Sequence, residues 1–350
     1  IDLFMSLCAG TVLGITGSNG KSTVTSLTHA MLSAAGARAV AGGNLGTPAL
    51  DLLATDADIY VLELSSFQLE RSAELELHAA VVLNISADHL DHHGTLAGYA
   101  AAKARIYSRC GTAIVNRDAP ELADMVKPGT AEVGFGLGKP SPTDWGIIEH
   151  DDGQWIARGS LAVMPVDALQ VVGRHNLQNV LAAFALADSL TSQFDVPLDG
   201  LVAGAQNFAG LPHRMQRVAE FAGVLWVDDS KATNEAASIA SIEAIDGGLV
   251  LIAGGDAKGG QLEELPRTLT GRNVQVIALG KDRDLFMQRL DGVCATHLVD
   301  SMSEAVQLAA RIATDGDTVL LAPACSSLDM FANFAERGEC FADAVREVEQ

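Results

Sequence analysis

The stretch Gly14-Ile15-Thr16-Gly17-Ser18-Asn19-Gly20-Lys21-Ser22-Thr23 constrains what this chain can fold into more than any other. It follows an apolar run, Thr11-Val12-Leu13, and leads into Val24, Leu27, Met31 and Leu32 at helical spacing. The order is therefore strand, glycine turn, helix start. Glycines let backbone N–H groups converge on an anion, and the free amides of a first helical turn add positive potential. Lys21 supplies a mobile charge and the Ser22 hydroxyl can ligate Mg²⁺. The pattern predicts a phosphate-binding loop over Gly17, Ser18, Asn19, Gly20, Lys21, Ser22 and Thr23, and the polyanion that suits it is ATP. An ordinary strand-to-helix turn satisfies the same local pattern, and Gly14 stands one residue earlier than the usual first glycine of such loops.

At 350 residues the chain exceeds one compact core, so two domains are expected. With 48% apolar residues and no low-complexity tract it reads as fully folded. The formal charge of −21 opposes nucleic acid and anionic membranes, so a nucleotide must be held by local groups and bound cations rather than by the overall field. Cys8, Cys110, Cys294, Cys325 and Cys340 are widely spaced, odd in number and free of Cys-x-x-Cys, which predicts reduced thiols and a cytoplasmic location. No apolar run reaches the roughly 20 residues of a membrane span. The start at Ile1, without methionine and apolar at once, suggests a piece whose earlier part has been removed.

From residue 11 to about 210, β-branched runs alternate with helical stretches. Strands are expected at 37–41, 59–64, 79–84 and 112–116, and helices at 22–35, 95–109 and 175–190. Such alternation implies a mainly parallel sheet covered on both faces. Between Trp145 and Val166 short alternating segments, split by Asp151-Asp152-Gly153, predict an antiparallel patch flanking that sheet. Leu211-Pro212-His213-Arg214 is the best boundary, which gives domains 1–211 and 212–350. Beyond it, strands at 224–227, 249–253, 274–279 and 318–321 and a helix at 303–313 describe a smaller, Rossmann-like doubly wound domain.

Several polar residues stand at strand exits, each with an ordinary reading beside a chemical one. Glu63 ends an apolar strand and can hold Mg²⁺ or be a solvated strand-end acid. Asn84-Ile85-Ser86-Ala87-Asp88-His89-Leu90-Asp91-His92-His93 crowds histidines and aspartates enough for a transition metal, without regular zinc spacing, and equally well forms a polar turn. Lys103, on a helix of small residues, reads alone as a surface charge. Gly43-Asn44 reads as a glycine turn and His175-Asn176-Leu177-Gln178-Asn179 as a helix start. Asp228-Asp229-Ser230-Lys231-Ala232-Thr233-Asn234 suits an anion or a helix cap. Gly254-Gly255-Asp256-Ala257-Lys258 and Pro323-Ala324-Cys325-Ser326-Ser327-Leu328-Asp329 form two further loops, in which Cys325 reads as a small buried residue.

These motifs together resemble the Mur ligases, which share the loop Gly-x-Thr-Gly-Ser/Thr-Asn-Gly-Lys-Ser/Thr with the folylpolyglutamate synthetases. The resemblance runs from Ile1 to the C-terminus and is greatest to the D-glutamate-adding branch, through Leu-Pro-His-Arg, Asp-Ser-Lys-Ala-Thr-Asn, Gly-Gly-Asp-x-Lys and Pro-Ala-Cys-x-Ser-x-Asp-x-Phe. The Asp-Asn-Pro-Arg of the diaminopimelate-adding branch is absent. The resemblance implies an α/β fold, an ATP-dependent amide ligase acting through an acyl phosphate, and UDP-N-acetylmuramoyl-L-alanine and D-glutamate as substrates. A family uridine-nucleotide domain would precede Ile1. The resemblance implies Lys21, Glu63, His89 and Lys103 as catalytic, with two Mg²⁺ held by Ser22, Glu63, His89 and a carbamylated Lys103. It places Asn179, Arg214, Asp229 and Lys231 on ATP, and Asn44, Ser65, Thr233, Lys258, Ser327, Leu328 and Phe334 on substrates. His92 and His93 remain loop residues. A monomer is expected, with no nucleic acid or membrane partner. The alternatives are a folylpolyglutamate-synthetase-like ligase and a noncatalytic ATP-binding piece.

Overall fold

The computed structural model describes residues 1–73, 75–86, 89–150, 153–171 and 173–349, and of Leu90 and Asp91 the backbone alone. The expected turn at Asp151-Asp152 and the Asp88 of the histidine segment lie outside the described residues. The chain divides into two compact units, one of Ile1–Gln170 with His175–Ala209, the other of Val171–Arg174 with Gly210–Gln350.

The first unit is built on a sheet of β1 (Thr11–Thr16), β2 (Ala39–Gly43), β3 (Ile59–Glu63), β4 (Glu76–Val82), β5 (Arg109–Asn116), β6 (Ala131–Phe135), β7 (Trp145–His150), β8 (Gly153–Arg158) and β9 (Leu161–Pro165). Their spatial order is β2-β3-β1-β4-β5-β6-β7-β8-β9, parallel through β7 and antiparallel from there to β9. The antiparallel patch thus continues the main sheet as its edge, joined by the pair Phe135 and Trp145. Central strands are buried on both faces, which is why they read as apolar runs rather than alternations. Val12, Tyr60, Leu62, Ala80 and Val82 share one core with Phe4, Ile106 and Tyr107. Leu13, Ile15, Ile59, Val61 and Val81, next along the same strands, are equally buried on the other face. Gly14 makes room within β1 for the Leu77 side chain, whose Cδ1 would stand 2.6 Å from a Cβ there and would have to shift.

The order places β1 between β3 and β4, so the chain leaves β1 for one side of the sheet and later returns on the other. The carboxyl end of β1 is therefore a topological switch point, where open parallel sheets leave a crevice for ligands. Three strand exits meet there: the glycine loop after β1, Glu63 to Ser65 after β3, and Leu83 to Ser86 after β4.

The second unit holds β10 (Gln216–Phe221), β11 (Val224–Asp228), β12 (Leu249–Gly254), β13 (Val274–Leu279), β14 (Ala295–Leu298) and β15 (Thr318–Leu321), in the order β10-β11-β15-β12-β13-β14. Only β10 runs antiparallel. Val227, Leu251, Val276 and Leu320 face one core, and Trp226, Ile252, Ile277 and Leu321 face the other. Strands β6, β10 and β14 were not expected, and neither was the closing helix Phe334–Glu349. The helix expected over 95–109 ends at Ala104, continues as a 3₁₀ turn to Tyr107 and gives way to β5. Among the described residues no helix is long and apolar enough to cross a membrane.

Helix Lys21–Ala34, which carries the glycine loop at its start, is backed by helix Leu198–Asn207 through glycine contacts. A Cβ on Gly204 would lie 2.5 Å from Met31 Cα, and one on Gly200 would lie 2.5 Å from Ala35 Cα. Backbone cannot yield there as a flexible side chain would. Gly204→Val should therefore lower unfolding stability by about 1–3 kcal/mol despite its better helix propensity, from overpacking. A urea midpoint equal to that of the parent would show that the two helices separate freely.

Candidate functional site

The glycine loop is shaped by two glycines in conformations other residues rarely adopt: Gly17 at φ 156° and Gly20, the N-cap of helix Lys21–Ala34, at φ 82°. Gly20 also has no room for a side chain, since a Cβ would meet Asn179 Oδ1 at 2.5 Å. The exit of β4 clamps the loop from the side. Asn19 N donates to Asn84 Oδ1 (2.8 Å), Asn84 Nδ2 donates to Asn19 O (3.1 Å), and Ser18 N donates to Asn84 O (3.0 Å). Ser18 Oγ accepts from Ser86 N (2.9 Å). Lys21 folds back over the loop, its Nζ donating to the carbonyls of Gly17 (2.7 Å) and Ser18 (2.8 Å). Ser22 and Thr23 are buried beneath it.

Lys103 lies at the same place. It is 1% exposed, which removes its reading as a surface charge, and its Nζ donates to Gly17 O (2.9 Å) and Thr16 Oγ1 (3.3 Å) while standing 4.6 Å from the centre of the Tyr99 ring. Two lysines from different helices thus share one carbonyl. Glu63 is not a solvated strand-end acid either, being 2% exposed. Asn44 Nδ2 donates to its Oε1 (2.7 Å), whereas its Oε2 is buried with no hydrogen-bond partner. A buried carboxylate oxygen left unpartnered costs more than a hydrogen bond is worth, and a hard cation is the group that satisfies it. Glu63 therefore fits a Mg²⁺ ion, and the buried residue Ser22 offers a hydroxyl oxygen, a donor of the kind Mg²⁺ prefers. Gly43 must be glycine for this approach, because a Cβ there would sit 2.5 Å from Glu63 O.

The neighbouring residues are engaged locally. Ser65 caps helix Ser66–Arg71, its Oγ accepting from Gln68 N. His89 has left-handed backbone (φ 51°) and its ring packs edge-on against Phe67, 5.0 Å between centres. His92 and His93 belong to a single helical turn, Leu90–His93, rather than a loop.

In the second unit the loops after β11, β12 and β15 leave the same edge of a parallel sheet. Buried Arg337, from the closing helix, ties them together. It donates from Nε to Ser230 Oγ (3.0 Å), from Nη2 to Ser230 O (2.8 Å), and from Nη1 to Cys325 O (3.1 Å) and Gly254 O (3.4 Å). Burial draws its pKa down to about 10, against the pull of nearby acids. Asp256 and Ser326 pair main chain to main chain, and Lys281 Nζ donates to Asp256 Oδ2 (3.1 Å). His213 Nδ1 lies 2.7 Å from Asp228 Oδ2, close against Gly338, where no Cβ fits. Asp229 accepts from Met215 N and Ser241 Oγ, and Lys231 Nζ stands 4.2 Å above the Phe334 ring. Left-handed backbone at non-glycine residues gathers here, at His213, Met215, Lys258 and Ala324, as it does at functional loops. Cys325 is buried and its thiol is pushed up to about 12 by burial, so it is an inert core residue.

The chain matches the Mur ligase middle domain over residues 15–187 and the Mur ligase glutamate ligase domain over residues 213–325. It is 46% identical over 346 residues to a UDP-N-acetylmuramoylalanine–D-glutamate ligase of Methylococcus capsulatus, covering 99% of this chain and 74% of that one. A Pseudomonas aeruginosa protein of the same name is 47% identical over 356 residues, covering 99% and 78%. The chain belongs to the Mur ligase family. Among solved Mur ligases, the MurF ligase of Thermotoga maritima in complex with ADP superposes with a TM-score of 0.69 at 20% identity, over 99% of this chain and 82% of that one. The diaminopimelate–D-alanyl-D-alanyl ligase of Acinetobacter baumannii gives 0.68 at 21%, over 98% and 77%.

Within this Mur ligase, Lys21, Ser22, Glu63, Asn44, Lys103 and Asn179 gather about the end of β1. Asp229, Lys231, Ser327 and Phe334 gather about the Arg337 strut, Ser327 being buried and Leu328 65% exposed. Sequence reasoning missed the loop clamp by Asn84 and Ser86, the joining role of Arg337, and Lys281. The signals were present: Asn84 and Lys281 each closely follow a strand end, the position at which Glu63 itself stands.

Burial raises the Asp229 carboxyl to about 6, with hydrogen bonds from Ser241 and Met215 and the charge of Arg214 acting against it. Its unfolded value is near 3.8. Between these values the folded state binds more protons, so this group makes stability fall as pH rises from about 4 to 6 and then level off. The shift corresponds to roughly 3 kcal/mol. Asp229→Asn should flatten that part of the pH–stability curve, measured by urea unfolding, and an unchanged slope would place the titration elsewhere.

Proposed function

We propose that the chain catalyses ATP-dependent addition of D-glutamate to UDP-N-acetylmuramoyl-L-alanine, a step of peptidoglycan precursor synthesis. The observation that supports this is its 46–47% identity, along 99% of its length, to two proteins bearing that activity as their name. In this reading the γ-phosphoryl group of ATP passes to the substrate carboxylate with loss of ADP. The amine of D-glutamate then attacks the acyl carbon, phosphate leaves and the amine's proton goes to solvent. A carboxylate is a poor electrophile at neutral pH, and making it an acyl phosphate supplies the leaving group. The protein's share is positioning and charge stabilisation.

The loop Gly17 to Thr23 directs its amides at the phosphates, and Lys21 exchanges the carbonyls of Gly17 and Ser18 for phosphate oxygens. Ser22 and Glu63 hold one Mg²⁺, and His89 with a carbamylated Lys103 holds a second. The metal ions neutralise phosphate charge when bound. Carbamylation joins the neutral amine of Lys103 to the carbon of CO₂ and releases one proton, leaving a carboxylate-like head. Asn179 is assigned to the adenine, and Arg214, Asp229 and Lys231 to ATP. Asn44 and Ser65 meet the acceptor, while Thr233, Lys258, Ser327, Leu328 and Phe334 form the D-glutamate site. The enzyme is read as a cytoplasmic monomer, with soluble small molecules as its partners.

Lys21→Ala should cut ADP release by two orders of magnitude or more while the thermal midpoint holds, because a loop lysine that donates to the carbonyls of Gly17 and Ser18 contributes little to core packing. ADP release that depends on UDP-N-acetylmuramoyl-L-alanine with D-glutamate supports the substrate reading, and release with a folate and glutamate instead overturns it. Lys103→Ala should lose activity that millimolar formate or acetate partly restores by replacing the carboxylate. An unmodified Lys103, by intact mass, in fully active enzyme would remove the carbamate.

A further inference from the structure

The histidine-rich segment is only partly used by the reading above, which takes His89 and leaves His92 and His93 without a role. The fold brings both to Glu70, on helix Ser66–Arg71. One ligand atom from each of Glu70, His92 and His93 lies within 4.8 Å of the others. His92 Nε2 stands 2.8 Å from Glu70 Oε2, and His93 Nδ1 stands 3.9 Å from the same oxygen. The first distance is a hydrogen bond and the second is too long for one. His93 Nε2 meanwhile pairs with Ser66 Oγ at 3.0 Å. When Nε2 carries the proton and donates to Ser66, Nδ1 presents its lone pair toward the carboxylate. Two lone pairs facing across that gap are satisfied by a cation between them. An outer hydrogen bond that fixes the tautomer of a ligating imidazole is the usual support of a histidine metal ligand.

We propose that Glu70, His92 and His93 form a binding site for a divalent transition metal of the zinc class, separate from the Mg²⁺ sites. Two imidazoles and one carboxylate are the donor set of open three-ligand zinc sites, with water in the fourth place, whereas Mg²⁺ prefers oxygen throughout. The His93 side chain is 2% exposed, those of His92 and Glu70 are 38% and 47% exposed, so an ion can enter from solvent. The Phe67 ring packs on both imidazoles, 4.7 Å from His92 and 5.4 Å from His93 between centres, and limits their rotation. A bound ion would tie the turn after His89 to the helix after Glu63.

Cobalt(II) tests this, since its visible spectrum reports its ligands. The parent protein in excess Mg²⁺ should bind one Co²⁺, displaceable by Zn²⁺, with bands of nitrogen and oxygen ligation and without the thiolate charge-transfer band that the five cysteines would give. Glu70→Gln and His92→Gln, both at exposed side chains, should each weaken binding at least 10-fold, and Ser66→Ala should weaken it by freeing the His93 ring. Absence of stoichiometric binding, a thiolate band, or undiminished affinity in Glu70→Gln and His92→Gln would each overturn the proposal. None of these readouts depends on ligase activity.

Discussion

The carbonyl oxygen of Gly17 accepts from two ammonium groups, those of Lys21 and Lys103. That shared acceptor is the point on which the first unit depends. It exists because Gly17 and Gly20 turn the chain through angles that expose both amides and carbonyls, and because the Lys103 side chain is buried against Thr16 and Gly17 rather than left at the surface. Like charges brought to one oxygen repel each other. A polyanion arriving at the loop relieves that repulsion, and so would conversion of one ammonium to a carbamate. Under the proposed function, the same geometry accounts for why the loop is basic in a chain whose formal charge is −21.

The second unit meets a similar need with one buried guanidinium. Its planar fork reaches a hydroxyl and three carbonyls in three loops, which a lysine's single nitrogen cannot do. Removing it would leave those acceptors unpaired in the interior, each at a cost of about 1–3 kcal/mol. Loops that carry left-handed residues at Lys258 and Ala324 need such a tie, since backbone strain persists only where the surroundings over-determine it.

How much of this could be read from the sequence follows from which forces are local. The glycine loop was legible because its glycines, helix start and lysine are contiguous, and the central strands because burial on both faces makes them uniformly apolar. Strands β6 and β14 were not legible, since partial exposure relaxes that pattern, at the start of β6 and at both ends of the edge strand β14: Ala131 and Glu132 are exposed, and so are Ala295 and Leu298. Lys103 reads as a surface charge until the fold carries its helix across Gly17. The Arg337 strut joins residues 83 to 107 positions apart, at Gly254 and Ser230, and no local pattern encodes that. The resemblance to Mur ligases supplied what local chemistry could not, namely which of several polar strand exits to favour.

Glu63 shows why a site can cost stability and still be kept. As a structural residue it is poorly chosen: one oxygen is held by Asn44, the other is buried and unpartnered, and the strand would be better served by an apolar side chain of similar volume. Replacing a buried, half-satisfied polar group with a well-packed apolar one is commonly neutral or stabilising. Its neighbour Gly43 gives up a side chain so that the main chains can approach. Two adjacent strand ends thus both forgo packing while one buried carboxylate oxygen stays without a hydrogen bond. Hydrogen bonding within the protein gives no reason for that arrangement; under the proposed function, coordination of a cation shared with bound phosphates does.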